Sequence, residues 1–282
     1  IFPLNMEPVN QSKFQPTSEQ QAILESLGRV IRINARAGTG KTSTLKMIAQ
    51  KYIDKKLLYL VFNRRARLEA QNSFPQKVNI HTLHSFAFGN MRGRNESNWR
   101  LMDGNFSPSD LLQSFSSFKK DQHILAALSH SLLQFWLNSP IEKIEDSASL
   151  FLQQHSDSDR AEIFKKHQNN LIEISRQIAA DWYFGRRGCP HDFYMKLFHF
   201  KGYFEKALEK YNIILADEGQ DLSPVMLDAI SKYRKRIFLV GDSHQQIYSF
   251  RYAIDAMKKL HCDQQNELTM SFRFSPYLFY RM

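Results

Sequence analysis

The stretch Ala35-Arg36-Ala37-Gly38-Thr39-Gly40-Lys41-Thr42 has the residue types and spacing of a phosphate-binding loop, with Ala in place of the usual first Gly. Gly38 and Gly40 allow the backbone to approach a ligand without a Cβ clash. Backbone N–H groups of Ala37, Gly38, Thr39 and Gly40, with those of Lys41, Thr42 and Ser43 at the start of a helix, would face phosphate oxygens. The Lys41 ammonium would neutralise β- and γ-phosphates, and the Thr42 hydroxyl would ligate Mg²⁺. A chance Gly-Lys-Thr at a helix start is the plainer alternative. A strand pattern before it and an amphipathic helix pattern after it argue for the loop.

A second acidic site follows far downstream. Asp217-Glu218-Gly219-Gln220-Asp221 comes straight after the apolar run Ile213 to Ala216. Alone, such a strand end reads as a turn or a helix cap. Opposite a phosphate-binding loop, Asp217 would hold the metal through water, and Glu218 would orient and deprotonate an attacking water.

The elements that must position these groups follow an α/β rhythm. Val30-Ile31-Arg32-Ile33-Asn34 predicts a strand entering the loop. From Thr42, the residues Leu45, Ile48, Ala49, Tyr52 and Ile53 share one helical face. Leu57 to Phe62 predicts a buried parallel strand, and Val78 to Thr82 a third. Between about Gly93 and Glu205 the pattern turns helical: Leu111, Phe115 and Phe118 share a face, as do Ile124, Leu128, Leu132, Phe135 and Trp136. The rhythm returns with Ile213 to Ala216 and Ile237 to Val240, each followed closely by an aspartate, Asp217 and Asp242. Met226, Ala229, Ile230 and Tyr233 lie on the helix between them. This alternation predicts a parallel sheet with right-handed crossovers. It divides the chain into 1–92 and 206–282, two parts of one α/β unit, and 93–205, a helical insertion.

The 282 residues are 43% hydrophobic, which fits a globular chain. No apolar run approaches the ~20 residues of a membrane span, so no membrane partner is expected. The first residues lack the basic region and cleavage site of a signal peptide, and an initiator Met is absent. Two distant cysteines, Cys189 and Cys262, read as free thiols of a reducing compartment. A net charge of +10, from 38 basic and 28 acidic residues, favours a polyanionic partner, nucleic acid first. Basic clusters stand at Arg64-Arg65-Arg67, Arg92-Arg94, Arg186-Arg187 and Lys232 to Arg236; each alone reads as a solvated face.

Together these motifs, in this order, resemble UvrD/Rep-type superfamily 1 DNA helicases, and among them the F-box DNA helicase branch. The resemblance covers both α/β stretches and only loosely the helical middle. It implies a RecA-like P-loop NTPase sheet with an inserted helical subdomain. Thr17-Ser18-Glu19-Gln20-Gln21-Ala22-Ile23 resembles the Q motif, in which Gln20 would read adenine through paired amide hydrogen bonds. An N-capped surface helix is the plainer reading of the same residues. Phe62-Asn63-Arg64 resembles motif Ia, and Thr82-Leu83-His84-Ser85-Phe86 the Thr-x-His segment after it; both imply contacts to a single strand. No carboxylate or Cys cluster supports a metal at His81 and His84. His191 to Leu197 resembles a DNA-contacting segment, although core packing accounts equally well for its aromatics. Val240 to Arg251 is close to motif III: Gln245 would sense the γ-phosphate, while Tyr248, Phe250 and Arg251 would face DNA, with Phe250 stacking on a base. Leu268-Thr269-Met270-Ser271-Phe272-Arg273 resembles motif IV, in which Arg273 would contact the γ-phosphate and Phe272 would stack on adenine.

Several positions depart from the family. Gly219 stands for the usual Ala, a change expected to matter little. Ser43 replaces an Arg, which implies that adenine is gripped on one face only. Tyr252 stands for a common Gly, and Ser271 for a common Asn. The residues up to Met282 hold neither motifs V and VI of a second RecA-like domain nor, ahead of the helicase-like motifs, an F-box. The resemblance implies ATP hydrolysis, with Mg²⁺, coupled to movement on single-stranded DNA and duplex unwinding in repair or recombination. Its partners would be single-stranded DNA, DNA junctions and a second RecA-like domain in cis if the chain is a fragment. The 282 residues alone are expected to bind nucleotide weakly and turn it over slowly or not at all. The location would be the nucleus of a eukaryote or the cytoplasm of a bacterium. The rival is a non-catalytic, ATP-switched DNA-binding protein. A kinase or GTPase is disfavoured by the motif III stretch and the lack of a guanine-reading Asn-Lys-x-Asp.

Overall fold

The computed structural model describes residues 15–92, 98–155, 159–242 and 256–272. Its centre is a six-stranded parallel sheet: β1 (Val30–Ala35), β2 (Leu57–Val61), β3 (Asn79–Thr82), β4 (Ile213–Ala216), β5 (Arg236–Gly241) and β6 (Gln264–Leu268), in the order β3-β2-β4-β5-β1-β6. Every strand of β2 and β4 is buried along its whole length, as a sheet covered by helices on both faces requires. Alternation sorts the side chains. Leu57, Tyr59 and Val61 join Ile31, Ile33, Phe238 and Val240 under α1 (Ser18–Leu24), α2 (Lys41–Lys51) and α3 (Arg64–Gln71). Leu58 and Leu60 join Ile214, Ala216, Ile237 and Leu239 on the opposite face, under α4 (Leu83–Met91).

Because all strands run the same way, the turns after β1, β2, β3, β4 and β5 lie at one end of the sheet. The connection from β1 runs one way, across β5 and β4 to β2, and that from β5 runs the other way, across β1 to β6, so the direction reverses between β1 and β5. A crevice at the carboxyl ends of strands, where the order reverses, is where α/β sheets bind ligands.

The segment between β3 and β4 is helical. It comprises α5 (Gln122–Asn138), α6 (Ile144–Gln154), α7 (Asp159–Lys166), α8 (Gln168–Tyr183), α9 (His191–Phe200) and α10 (Tyr203–Leu208), with α11 (Pro224–Ser231) and α12 (Ala256–Lys259) later in the chain. A separate core gathers Leu111, Leu128, Leu132, Phe135, Trp136, Phe164 and Trp182. α9 joins it to the sheet, since Phe193 belongs to the helical core and Met195 and Phe198 to the sheet core. The run holding Leu111, Phe115 and Phe118 is a 3₁₀ segment, Pro108–Asp121, broken at Phe115 and at Lys119 with φ +38°. An apolar face thus forms, with Leu111 and Phe115 buried, without a regular α-helix. No helix among the described residues is long and apolar enough to cross a membrane.

Lys196, in the segment with DNA-contacting resemblance, is fully buried and structural. Its ammonium donates to the carbonyls of Ser139 and, at 2.7 Å, Ile141, just past the C-terminus of α5. It also lies 5.1 Å from the Trp136 ring and 4.8 Å from the Phe200 ring. Burial pushes this ammonium down to about 7, against the charge of Glu142. These carbonyls, in the turn that leaves α5, are inside the protein and need a donor, which Lys196 supplies.

Candidate functional site

The loop after β1 has the backbone that a phosphate cradle needs. Gly38 and Gly40 stand at φ +77° and +81°, a region glycine enters without penalty. Thr39 and Thr44 tighten the turn, their hydroxyls donating to the carbonyls of Arg36 at 2.8 Å and Gly40 at 3.0 Å. α2 starts at Lys41, and Thr42 and Ser43 on its first turn are exposed. Strand β6 braces the loop from the side. Phe272 N–H donates to Gly38 at 2.9 Å, and Arg36 N–H to Leu268 at 3.4 Å.

Gln20, Gly40 and Phe272 meet at one corner. A Cβ on Gly40 would stand 3.2 Å from the Phe272 ring and 3.4 Å from Gln20 Nε2. The Phe272 ring remains 52% exposed, so a stacking face is open beside the loop. Gln20 is buried, and its amide works inside the protein as well. Oε1 accepts from Thr17 N–H at 3.0 Å in a capping box, and Nε2 donates to Thr44 at 3.2 Å. One lone pair and one hydrogen of that amide remain, the pair an adenine edge would use. The helix-cap and adenine readings of Gln20 are therefore compatible. Glu19 adds a brace, accepting from Thr269 N–H at 3.0 Å and from its hydroxyl.

The acidic turn comes up against the loop. Lys41 Nζ lies 3.4 Å from Glu218 Oε2, a contact between residues 177 positions apart. Asp217 accepts from the Tyr59 hydroxyl at 2.8 Å and, through its other oxygen, from Glu218 N–H at 3.0 Å. Burial raises its carboxyl above the usual range, and the like charge of Glu218 adds to this. Glu218 itself sits at φ +52°, an uncommon conformation for a non-glycine residue. Such outliers cluster where function over-determines the backbone.

Two residues given no role by sequence reasoning complete the site. Gln220 is buried; its Nε2 donates to Glu218 Oε2 at 2.8 Å, and its Oε1 accepts from Asp242 N–H at 3.0 Å. It ties the candidate base to the end of β5. Tyr59 fixes Asp217 from β2. Its signal was a polar tip inside the run Leu57 to Val61.

Gly219 departs from the expectation that it matters little. A Cβ there would stand 2.7 Å from Leu239 Cδ1 and 3.0 Å from Met257 Sδ, both in buried side chains. Gly241 is crowded too, its Cβ position lying 2.5 Å from Gln220 Oε1. Gly219→Ala is expected to destabilise the protein by about 1–3 kcal/mol through overpacking. Urea unfolding monitored by circular dichroism measures this; an unchanged midpoint would contradict it.

Among the described residues no group of three or more His, Cys, Asp or Glu is placed to hold a metal ion. Magnesium bound with a nucleotide keeps waters and takes one or two carboxylates plus phosphate oxygens. The donor set of an exposed Thr42 hydroxyl and Asp217 beside Lys41 fits that arrangement.

The residues expected on a single strand divide by role. Phe62, Asn63 and Arg64 follow β2, while Thr82 and His84 stand at the end of β3, so all lie at the loop's end of the sheet. Asn63 Oδ1 accepts from Ala66 N–H at 2.8 Å and Thr82 Oγ1 from Ser85 N–H at 3.1 Å, capping α3 and α4. Phe62 is half-buried and Arg64 exposed. His84 Nε2 lies 2.9 Å from Asp192 on α9, so a carboxylate does stand beside this histidine. His81 is held apart by burial, which also lowers its tendency to protonate. Gln245, Tyr248, Phe250, Arg251 and Arg273 lie outside the described residues.

The UvrD/REP helicase N-terminal domain family matches residues 16–262. The chain belongs to this family. It is similar to F-box DNA helicase 1 of Gallus gallus, 30% identical over 285 residues, covering 95% of the chain and 27% of the relative. F-box DNA helicase protein 1 of Schizosaccharomyces pombe is 31% identical over 253 residues, covering 84% of the chain and 28% of the relative. A probable DNA helicase II homolog of Mycoplasma genitalium is 24% identical over 268 residues, 85% and 37% respectively. The chain thus spans between about a quarter and two-fifths of the length of these relatives. The parallel α/β sheet agrees with a RecA-like helicase domain.

Proposed function

We propose that this chain is the ATP-binding part of a DNA helicase, coupling ATP hydrolysis to movement on single-stranded DNA and to duplex unwinding in repair or recombination. The observation that carries this reading is the 3.4 Å approach of Lys41 and Glu218, which brings the loop and acidic motifs into one site. Residues 1–92 and 206–282 form the RecA-like unit, and 93–205 the insertion. A second RecA-like domain in cis is the expected partner in closing the nucleotide site, and DNA single strands and junctions the expected substrates. The setting is intracellular, the nucleus of a eukaryote or the cytoplasm of a bacterium.

Bound magnesium would supply charge neutralisation between the phosphate groups. Lys41 and the backbone N–H groups from Ala37 to Ser43 bind the phosphates, with Thr42 and Asp217 holding the ion. Phe272 and Gln20 take the adenine. Glu218, oriented by Gln220, accepts the proton of the attacking water. Gln245 and Arg273 report the γ-phosphate to the strand-binding groups Asn63, His84, Tyr248, Phe250 and Arg251. A purely ATP-switched binding protein would not need Glu218 held against Lys41 by Gln220.

DNA-stimulated ATP hydrolysis by the protein carrying this domain tests the reading, together with oligothymidylate affinity across a salt series. Stimulation is expected, with log affinity falling against log salt by about 0.7 per phosphate contacted. Hydrolysis indifferent to DNA, with an affinity insensitive to salt, would contradict it.

A further inference from the structure

Among the described residues two phenylalanines are more than half exposed. Phe272, beside the phosphate loop, has a proposed base to stack on. The other, Phe184 at 54%, lies at the far end of α8, on the helical insertion. We propose that Phe184 and Arg186 form a base-stacking and phosphate-binding site for single-stranded nucleic acid, extending the strand's path onto the insertion. This rests on the DNA-motor reading above.

The ring is displayed by a built turn. Phe184 N–H donates to Ala180 at 3.0 Å, Gly185 N–H to Trp182 at 3.2 Å, and Arg187 N–H to Asp181 at 3.2 Å. Gly185 has φ +70°, and a Cβ there would fall 2.1 Å from the Asn98 carbonyl oxygen, so only glycine makes this turn. Asn98 N–H donates in return to Tyr183 at 3.2 Å. The Phe184 ring meets Tyr183 edge-on, centroids 5.2 Å apart, which fixes its orientation while more than half of the residue stays exposed.

The surroundings select the ligand. The Arg186 guanidinium lies 5.0 Å from the Phe184 ring and is steadied by Asp181 at 2.7 Å. The Lys201 ammonium lies 6.0 Å from the adjacent Tyr183 ring, and Arg100 is exposed close by in sequence to Asn98. Aromatic faces beside cations suit bases and phosphates, and suit a single strand because only unpaired bases offer open faces.

A line of contacts joins this turn to the expected strand-binding segment. Trp99, next to Asn98, stacks on Tyr194 with centroids 5.5 Å apart. Tyr194 meets the His84 ring at 6.2 Å, and His84 is paired with Asp192.

The test is fluorescence anisotropy without nucleotide, using a labelled oligothymidylate and an abasic strand of equal length. Phe184→Ala is expected to weaken oligothymidylate binding about fivefold or more, as loss of one base–aromatic stack does. The abasic strand should bind both proteins alike. Phe184→Leu, which keeps apolar bulk without a π face, should lose the same affinity at a wild-type melting temperature. Phe184→Trp should keep it and show fluorescence quenching on binding. Arg186→Ala should lower the salt slope by about 1. Unchanged affinity in both Phe184→Ala and Phe184→Leu overturns the inference alone. An equal loss on the abasic strand overturns the stacking. A wild-type chain that binds neither strand overturns the DNA reading itself.

Discussion

Glu218→Gln is expected to slow ATP hydrolysis by about 10²- to 10⁴-fold, the contribution of a positioned general base. Nucleotide affinity should be retained. The substitution keeps the side chain's size and its 2.8 Å neighbour Gln220, but removes the group that takes the proton. It also removes the like charge that helps raise the Asp217 carboxyl, so the remaining carboxylate ionises more readily and holds a cation at least as well. The two effects separate in one experiment. Single-turnover hydrolysis by the protein carrying this domain should fall, while equilibrium nucleotide binding should not. Hydrolysis at the wild-type rate would remove Glu218 from the chemistry.

Lys41→Ala should instead weaken both steps. The ammonium is the one cation placed on the acidic pair by a described contact, with its nitrogen 3.4 Å from Glu218. Losing charge-assisted hydrogen bonds to phosphate costs about 1.5–3 kcal/mol, roughly ten- to hundredfold in affinity. The hydrolysis rate should fall further, by about 10²- to 10³-fold, as when a preorganised donor to developing charge is lost. Removing Lys41 also takes its counter-charge away from Glu218 and Asp217. A variant with unchanged affinity and rate would place the triphosphate elsewhere.

Much of this site was legible because its determinants are local. Gly38, Gly40, Lys41 and Thr42 lie within one turn, and the apolar runs of β1, β2, β4 and β5 read as buried strands. What was illegible depends on distant packing. β6 is a polar run, Gln264-Gln265-Asn266-Glu267-Leu268, whose side chains alternate in exposure at the sheet edge. Only its register on β1 makes it a strand, with Ala35 opposite Leu268. Its role as a brace for the loop followed from that pairing.

Gly219 shows the same limit. Its sequence neighbours say nothing of Leu239 and Met257, whose side chains would have to shift to admit a Cβ. Gln220 likewise reads as one polar residue in a turn until Asp242 and Glu218 are brought to either end of its amide. Asn63 and Thr82 have a structural role beside the one the resemblance implies. Each also caps a helix, a role that Asn and Thr before a helical run signal in the sequence itself. In the 3₁₀ segment Pro108–Asp121, apolar spacing suggested a regular helix where the backbone breaks at Phe115 and Lys119.

The proposed function requires one magnesium–triphosphate to be held jointly by the loop and the acidic turn. Calorimetric titration with a non-hydrolysable ATP analogue, with magnesium and then with excess chelator, measures that directly. One site is expected, weakened at least about tenfold by chelation and by Lys41→Ala alike. An affinity indifferent to both magnesium and Lys41 would contradict it.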